Sequence, residues 1–434
     1  MAQRPVPNWS VVAVCTMLLG TALVLTWQGL ALAADGPYYL VEILATGSVF
    51  GADPRVLTNV VRQAPVLLGA KAGVTDTHVL TIALGVGQLV FPAAVWAVSA
   101  ILARRSPLAF AAVAVTAGVC AAATWFCSVS ESVTALALTA LVAVLLAQRA
   151  PWGWGLAALA SATSLVLVAS YETAVATGAI AALWAFVRAR GSVSLPDRAG
   201  AAIVAVSSIA AIGVAVAGSF AEQNDSNSKS FLYFVVSLQP TAVYALLGCG
   251  ALLVGSLAMP AGPTRWAVLT VAVAGTFVAA GTLEVTPSRA YAARGASVIA
   301  VVALQILLAA LWFRDRRSNA PSVEARTIHR WEAWLPAAFV AVMCATNLIA
   351  LRDWSRSVDA FRAGVEATDG FAYVDDVVPS DRQRAVWGWT GTSLSLVVRS
   401  TPSDGVLVDR EPSYVPFPPE QAREQLPDKY VWRR

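Results

Sequence analysis

The apolar residues of this chain fall in long unbroken runs, not in an alternating or one-sided pattern. Each run is roughly 20 residues long, and short polar stretches separate them. A bilayer core of about 30 Å is crossed by about 20 helical residues. Eleven runs meet that description, at about 10–34, 78–103, 107–127, 131–148, 153–169, 173–188, 199–219, 232–258, 265–283, 296–313 and 332–351. The pattern predicts an all-α polytopic membrane protein with about 11 transmembrane helices. Segments 153–169 and 173–188 are short and share one apolar block, so a re-entrant pair is the alternative there. The first run is preceded by Arg4 and contains the cleavage-like "LALAADG". Its apolar stretch of about 24 residues exceeds the usual 7–15 of a signal peptide, so it is read as a retained span.

Composition agrees. Of the 434 residues, 57% are hydrophobic and only 13% charged, against about 25% charged in soluble domains. Cys15, Cys120, Cys127, Cys249 and Cys344 lie in or beside apolar runs with no metal-ligand or disulfide spacing, and read as small packing residues. His78 and His329 are isolated and read as structural. Neither a nucleic-acid interface nor a cytoplasmic domain large enough for a soluble nucleotide-sugar is expected.

Lysine and arginine in the short connections set the sides. With the N-terminus in the cytoplasm, the inner segments carry 13 basic residues: Arg4, Arg104, Arg105, Arg149, Arg188, Arg190, Arg198, Arg265, Arg314, Arg316, Arg317, Arg326 and Arg330. The outer loops before the tail carry 6: Arg55, Arg62, Lys71, Lys229, Arg289 and Arg294. This predicts a multi-pass inner (plasma) membrane protein with a cytoplasmic N-terminus and an extracytoplasmic C-terminus. It also divides the chain into a membrane domain, 1–351, and a C-terminal domain, 352–434. The latter has 11 Lys and Arg against 13 Asp and Glu, too balanced for a polybasic lipid-binding tail. "SLSLVV" alternates and predicts a strand, while "SYVPFPPEQAREQLPDKYVW" predicts a loop, a short helix and an aromatic end. A small α+β appendage on the outer face is expected.

Charge inside hydrocarbon is costly and tends to be functional. The span centres carry essentially none, but four carboxylates stand at span edges: Asp35, Glu131, Glu172 and Glu284. All four fall on the predicted outer face, and Arg289 and Arg294 share the loop of Glu284. Each has a plainer reading: Glu131 and Glu172 as helix caps, Asp35 as a simple end-of-span residue, the arginines as interfacial anchors. An anionic headgroup is the natural partner of outer-face arginines, because guanidinium grips phosphate through two donors. The first outer loop, 35–77, contains two amphipathic segments. In one, Tyr39, Ile43 and Phe50 form an apolar face; in the other, Val56, Val60, Val61, Leu67 and Leu68 oppose Arg55, Asn59 and Arg62. Both predict helices lying on the membrane surface or packed on the bundle.

An acidic residue directly after the first span, a long first outer loop, many spans and an outer tail together resemble the GT-C superfamily of integral-membrane glycosyltransferases. The "TPSRAYAARG" stretch is similar to the arginine-bearing loop that meets the lipid phosphate in several of them. The resemblance is one of architecture over roughly residues 1–351. Where that family often has a paired acidic motif, Asp35 stands alone, with Glu42 two turns on. The resemblance implies a polyprenyl-phosphate-linked sugar donor in the lipid bilayer and an envelope glycan or lipid as acceptor. It implies Asp35 as general base, and Arg289 and Arg294 on the phosphate. Glu42, Glu131, Glu172 and Glu284 are the candidates for acceptor binding, and a one-step displacement would invert the sugar. No cofactor is certain; a divalent metal, Mg or Mn, is left open, and no residue is assigned to hold one. Two other classes compete: a transporter or flippase for a lipid-linked or amphiphilic substrate, with Pro240 as its one clear central breaker, and a non-catalytic envelope assembly protein.

Overall fold

The computed structural model describes residues 6–50, 55–124, 131–170, 173–219, 242–260, 262–282, 287–317, 332, 334–383, 386, 390–410 and 419–433. Each of the eleven predicted segments contains a helix. They are α1 (Asn8–Trp27), then α4 (Thr77–Gly85) running through a π-turn into α5 (Phe91–Ala103), α6 (Pro107–Thr124), α7 (Glu131–Leu146), α8 (Trp154–Val166) and α9 (Ala174–Gly191). After these come α10 (Leu195–Ser219), α11 (Ala242–Ala258), α12 (Pro263–Gly281), α13 (Pro287–Arg317) and α14 (Trp334–Ala367). Between α1 and α4 the predicted surface helices are present as α2 (Gly36–Thr46) and α3 (Val56–Lys71). Among the described residues, six helices are long and apolar enough to cross a membrane: Asn8–Trp27, Thr77–Ala103, Leu195–Gly218, Pro263–Gly281, Ala293–Arg316 and Trp334–Ala367. The chain is an all-α polytopic membrane protein, as the runs predicted, because in lipid a helix satisfies its own backbone groups.

Successive helices run up and down, so charged connections gather at two ends. At one end Trp9, opening α1, stacks at 3.8 Å on Trp334, opening α14. Val6 donates its N–H to the Arg104 carbonyl at the end of α5. Arg188 at the end of α9 reaches carbonyls at the end of α7. The opposite end holds the close of α1, both loop helices and the start of α7. Helix α7 lies at the centre, with every residue from Glu131 to Leu146 buried. A helix apolar on every face belongs inside a bundle, and this one presents Glu131 at its tip.

Two expectations need correction. "SLSLVV" is not a strand; Gly391–Val398 is a helix. Ser395 is buried together with Leu394, Leu396, Val397 and Val398, so alternation carries no inside–outside meaning there. Ser395 is satisfied within the protein: its hydroxyl donates to Thr392 O at 2.8 Å and accepts from the Leu407 N–H at 3.1 Å. Nor is "TPSRAYAARG" a loop throughout, since Arg289 and Arg294 lie on α13. Pro287 suits a first helical position, and the Ala- and Arg-rich stretch after it favours helix.

Helix α14 runs unbroken for 34 residues, about 51 Å at 1.5 Å per residue. The predicted boundary at 351/352 therefore falls inside a helix. Beyond it, Trp354, Phe361 and Val365 are buried and form a base for the C-terminal segment. There β1 (Phe371–Tyr373) pairs in parallel with β2 (Val406–Val408), and a 3-10 turn spans Pro419–Gln425. The chain end is stitched to the start of α4. Thr77 donates its N–H to Val431 O, Val431 donates to Thr75 O, and the Trp432 ring lies 4.7 Å from His78.

Candidate active site

The turn that carries Asp35 is unusual in its backbone. After α1, Gly29 adopts a left-handed conformation and a 3-10 turn follows over Leu30–Leu32. Ala34 then has φ 56°, the one left-handed non-glycine among the described residues. Such a conformation is strained for alanine and is typically held only where the surroundings impose it. Asp35 stands at the N-cap of α2, yet its side chain makes no capping hydrogen bond. Asp76, at the start of α4, shows the ordinary alternative by accepting from the His78 N–H at 2.9 Å.

The Asp35 Oδ1 is buried, with no hydrogen-bond partner among the described residues. Burial lifts the carboxyl from 3.8 to about 6; Arg294 pulls it back down, Glu131 raises it, and Arg62 and Arg55 lower it. The structure therefore brings Asp35, Glu131 and Arg294 into one electrostatic neighbourhood from three separate parts of the sequence.

Glu131, only 3% exposed, is held from three sides. The Tyr39 hydroxyl donates to its Oε1 at 3.1 Å, and Arg62 and Arg55 approach within 3.5 and 3.6 Å. This is not the side chain of a solvated cap. Tyr39 is half-buried, and the loss of water around its hydroxyl pushes the phenol well above 10, with the charges of Glu131 and Asp35 adding to the effect. Arg62 also donates to Asn59 Oδ1 at 3.2 Å.

Helix α3 explains how two arginines come to this place. It buries its polar stripe of Thr58, Asn59, Arg62 and Gln63 and leaves Val56, Leu57, Val60 and Leu68 exposed. That is the reverse of a water-facing helix and the orientation of one with lipid outside. It packs against the π-turn Val86–Val90, closed by a bond from the Phe91 N–H to Val86 O. Pro92 would clash with a carbonyl four residues back, and the wider turn relieves this. Gly87 lies in that turn, and a Cβ there would overlap the Arg62 backbone. The bulge and the glycine thus let α3 sit deep enough to bury Arg62. Gln88 beside it is fully buried, with neither side-chain polar atom hydrogen-bonded among the described residues.

Not every predicted residue joins this cluster. Glu42 is half-buried on α2 and is not among the groups acting on Asp35. Partial burial raises its carboxyl too. Glu172 and Glu284 lie outside the described residues. Arg289 is on α13, but its side chain is outside the described set. Arg55, Arg62 and Tyr39 were missed as site residues. Their signal was present: Arg55, Asn59 and Arg62 are spaced four and three apart and share one helix face.

No group of three His, Cys, Asp or Glu side chains suited to a metal occurs among the described residues. The two carboxylates at this end face arginines, and Glu131 is bound by two of them. That donor set does not fit Mg or Mn, and no step is derived through a metal. Compared with protein-family models, curated proteins and solved structures, the chain matches none.

Proposed function

We propose that the protein is a membrane glycosyltransferase, crossing the inner membrane eleven times with its N-terminus in the cytoplasm. It takes a sugar from a polyprenyl-phosphate donor and passes it to an envelope glycan or lipid acceptor on the outer face. The observation that carries the reading is Asp35: a carboxylate with one buried oxygen unpartnered among the described residues, next to a strained residue and within the field of Arg294.

A sugar hydroxyl is a weak nucleophile until a base takes its proton. In this reading the acceptor oxygen attacks the anomeric carbon and its proton passes to Asp35. The bond from that carbon to the phosphate oxygen breaks, and the electron pair leaves with the phosphate. Arg294 faces the charge that develops there, the placement that lowers such a barrier. Arg55, Arg62 and Tyr39 hold Glu131 in place as the wall of the site. A carboxyl near 6 is ionised at neutral pH yet more basic than an ordinary aspartate, which suits a general base.

The test is transfer in vitro with a panel of polyprenyl-phosphate sugars. Asp35→Asn, expressed at wild-type level, should lose roughly 10²–10⁴ in rate. Full activity in that variant would overturn the reading.

A further inference from the structure

A cavity lies at the far end of the bundle from Asp35. It encloses about 650 Å³ between the start of α1, the α5–α6 turn, the end of α7 and α13. Its mouth is basic, with Arg104 and Arg105 from the turn and Arg149 following α7, while Leu102, Val144 and Leu308 line its depth. Arg149 pairs with Asp315. Among the described residues, neither Arg104 nor Arg105 has an ion-pair partner. Ser106 caps the next helix by accepting from the Ala109 N–H at 3.3 Å, so the positive end of α6 faces the same mouth.

Three cations over an apolar recess match an anion attached to a hydrocarbon chain. The volume is within the range of sites for drug-sized ligands, about 300–1,000 Å³. Basic pockets between helices at the membrane interface suit anionic headgroups, and arginine is the side chain that grips phosphate through two donors.

We propose that this cleft binds the phosphate of an anionic phospholipid, with the start of an acyl chain along Leu102 and Leu308. With the N-terminus cytoplasmic, that lipid belongs to the inner leaflet. The proposal does not depend on the transferase reading, because it concerns the opposite end and needs no reaction.

The test is lipid binding to the purified full-length protein in detergent, counted by native mass spectrometry. The probes are phosphatidylglycerol, phosphatidylcholine and inorganic phosphate. Phosphatidylglycerol should bind well ahead of phosphatidylcholine and resist displacement by millimolar phosphate. The double variant Arg104→Gln/Arg105→Gln should weaken it roughly tenfold to a hundredfold. The pair Arg104→Lys/Arg105→Lys, which keeps the charge but not the two-donor grip, should bind between wild type and the glutamine pair and still prefer phosphatidylglycerol, separating loss of charge from misfolding. Arg356→Gln, on the projecting part of α14, should change nothing. Equal binding of phosphatidylcholine, full displacement by inorganic phosphate, or unchanged binding in the glutamine pair would each overturn the proposal.

Discussion

Two buried arginine–carboxylate sites lie at opposite ends of this bundle, and they are built differently. At one end Arg188 meets Asp197 at 2.8 Å and donates to the carbonyls of Leu146, Gln148 and Ala150 at 2.9, 2.6 and 3.1 Å. The Trp152 ring covers it at 4.6 Å, and Ser192 donates to the other Asp197 oxygen at 2.8 Å. Both carboxylate oxygens are occupied. At the other end the arginine contacts to Glu131 are 3.5 and 3.6 Å, and Asp35 Oδ1, Asn59 Nδ2 and both polar atoms of Gln88 have no hydrogen-bond partner among the described residues. Buried polar groups are normally satisfied, and exceptions concentrate where something else is to be bound. The first site is closed and joins three helix ends. The second leaves several buried polar atoms without a hydrogen-bond partner among the described residues, as the proposed transferase reading requires of a site that receives a substrate.

Removing a carboxylate should therefore act in opposite directions at the two ends. Asp197→Ala leaves Arg188 buried with its charge uncompensated, a change that costs about 3–5 kcal/mol. Thermal unfolding in detergent should show it plainly. A loss under about 1 kcal/mol would mean that this end is no more structural than the other.

At the other end, Asp35→Asn should stabilise the protein, and only above a certain pH. The folded carboxyl titrates near 6 instead of 3.8, so folding disfavours its charged form. Below pH 4 the group is neutral in both states and carries no penalty. Between pH 4 and 6 the folded state holds the extra proton, so stability falls as pH rises. Above pH 6 the penalty is complete, on the order of 2–3 kcal/mol. Asparagine has no charge to bury, so unfolding at pH 7.5 should show the gain and unfolding at pH 4 should not. A variant equally stable to wild type at both values would remove the distinction between the two ends. Under the proposed transferase reading the same titration sets the rate: transfer should fall about tenfold per pH unit below 6, because a general base must be ionised to act.

Much of the fold was legible because hydrophobic runs read directly as spans. The up-and-down order then gathers the basic residues Arg104, Arg149 and Arg188 at one end, as their count had required. The site was legible only in part. Asp35 and Glu131 stood out as carboxylates beside apolar runs, and Arg294 as a cation on the unexpected side. Arg55 and Arg62 did not, because a polar stripe on an amphipathic helix normally faces water. Here it faces protein, and the apolar side of α3 faces out. The reversal depends on the close approach at Gly87, a tertiary contact that periodicity along α3 cannot encode. "SLSLVV" failed for a related reason: from Leu394 to Val398 both alternating sets of positions are buried, which gives alternation no meaning.

The smallest effect concerns the residue before Asp35. A left-handed conformation costs a non-glycine residue about 1–2 kcal/mol, and Ala34 bears it at φ 56°. Glycine would remove that strain, although its freedom in the unfolded chain takes back about 0.5–1 kcal/mol. Ala34→Gly should therefore gain at most about 1 kcal/mol in thermal unfolding. Transfer is the sharper readout. If the rigid turn aims Asp35, a freer backbone lets the carboxylate wander and the rate falls while stability rises. Stability and rate rising together would show that the turn is strained for some other reason. A variant less stable than wild type would show that the Ala34 methyl, itself buried in the bundle, contributes more by packing than its backbone loses by strain.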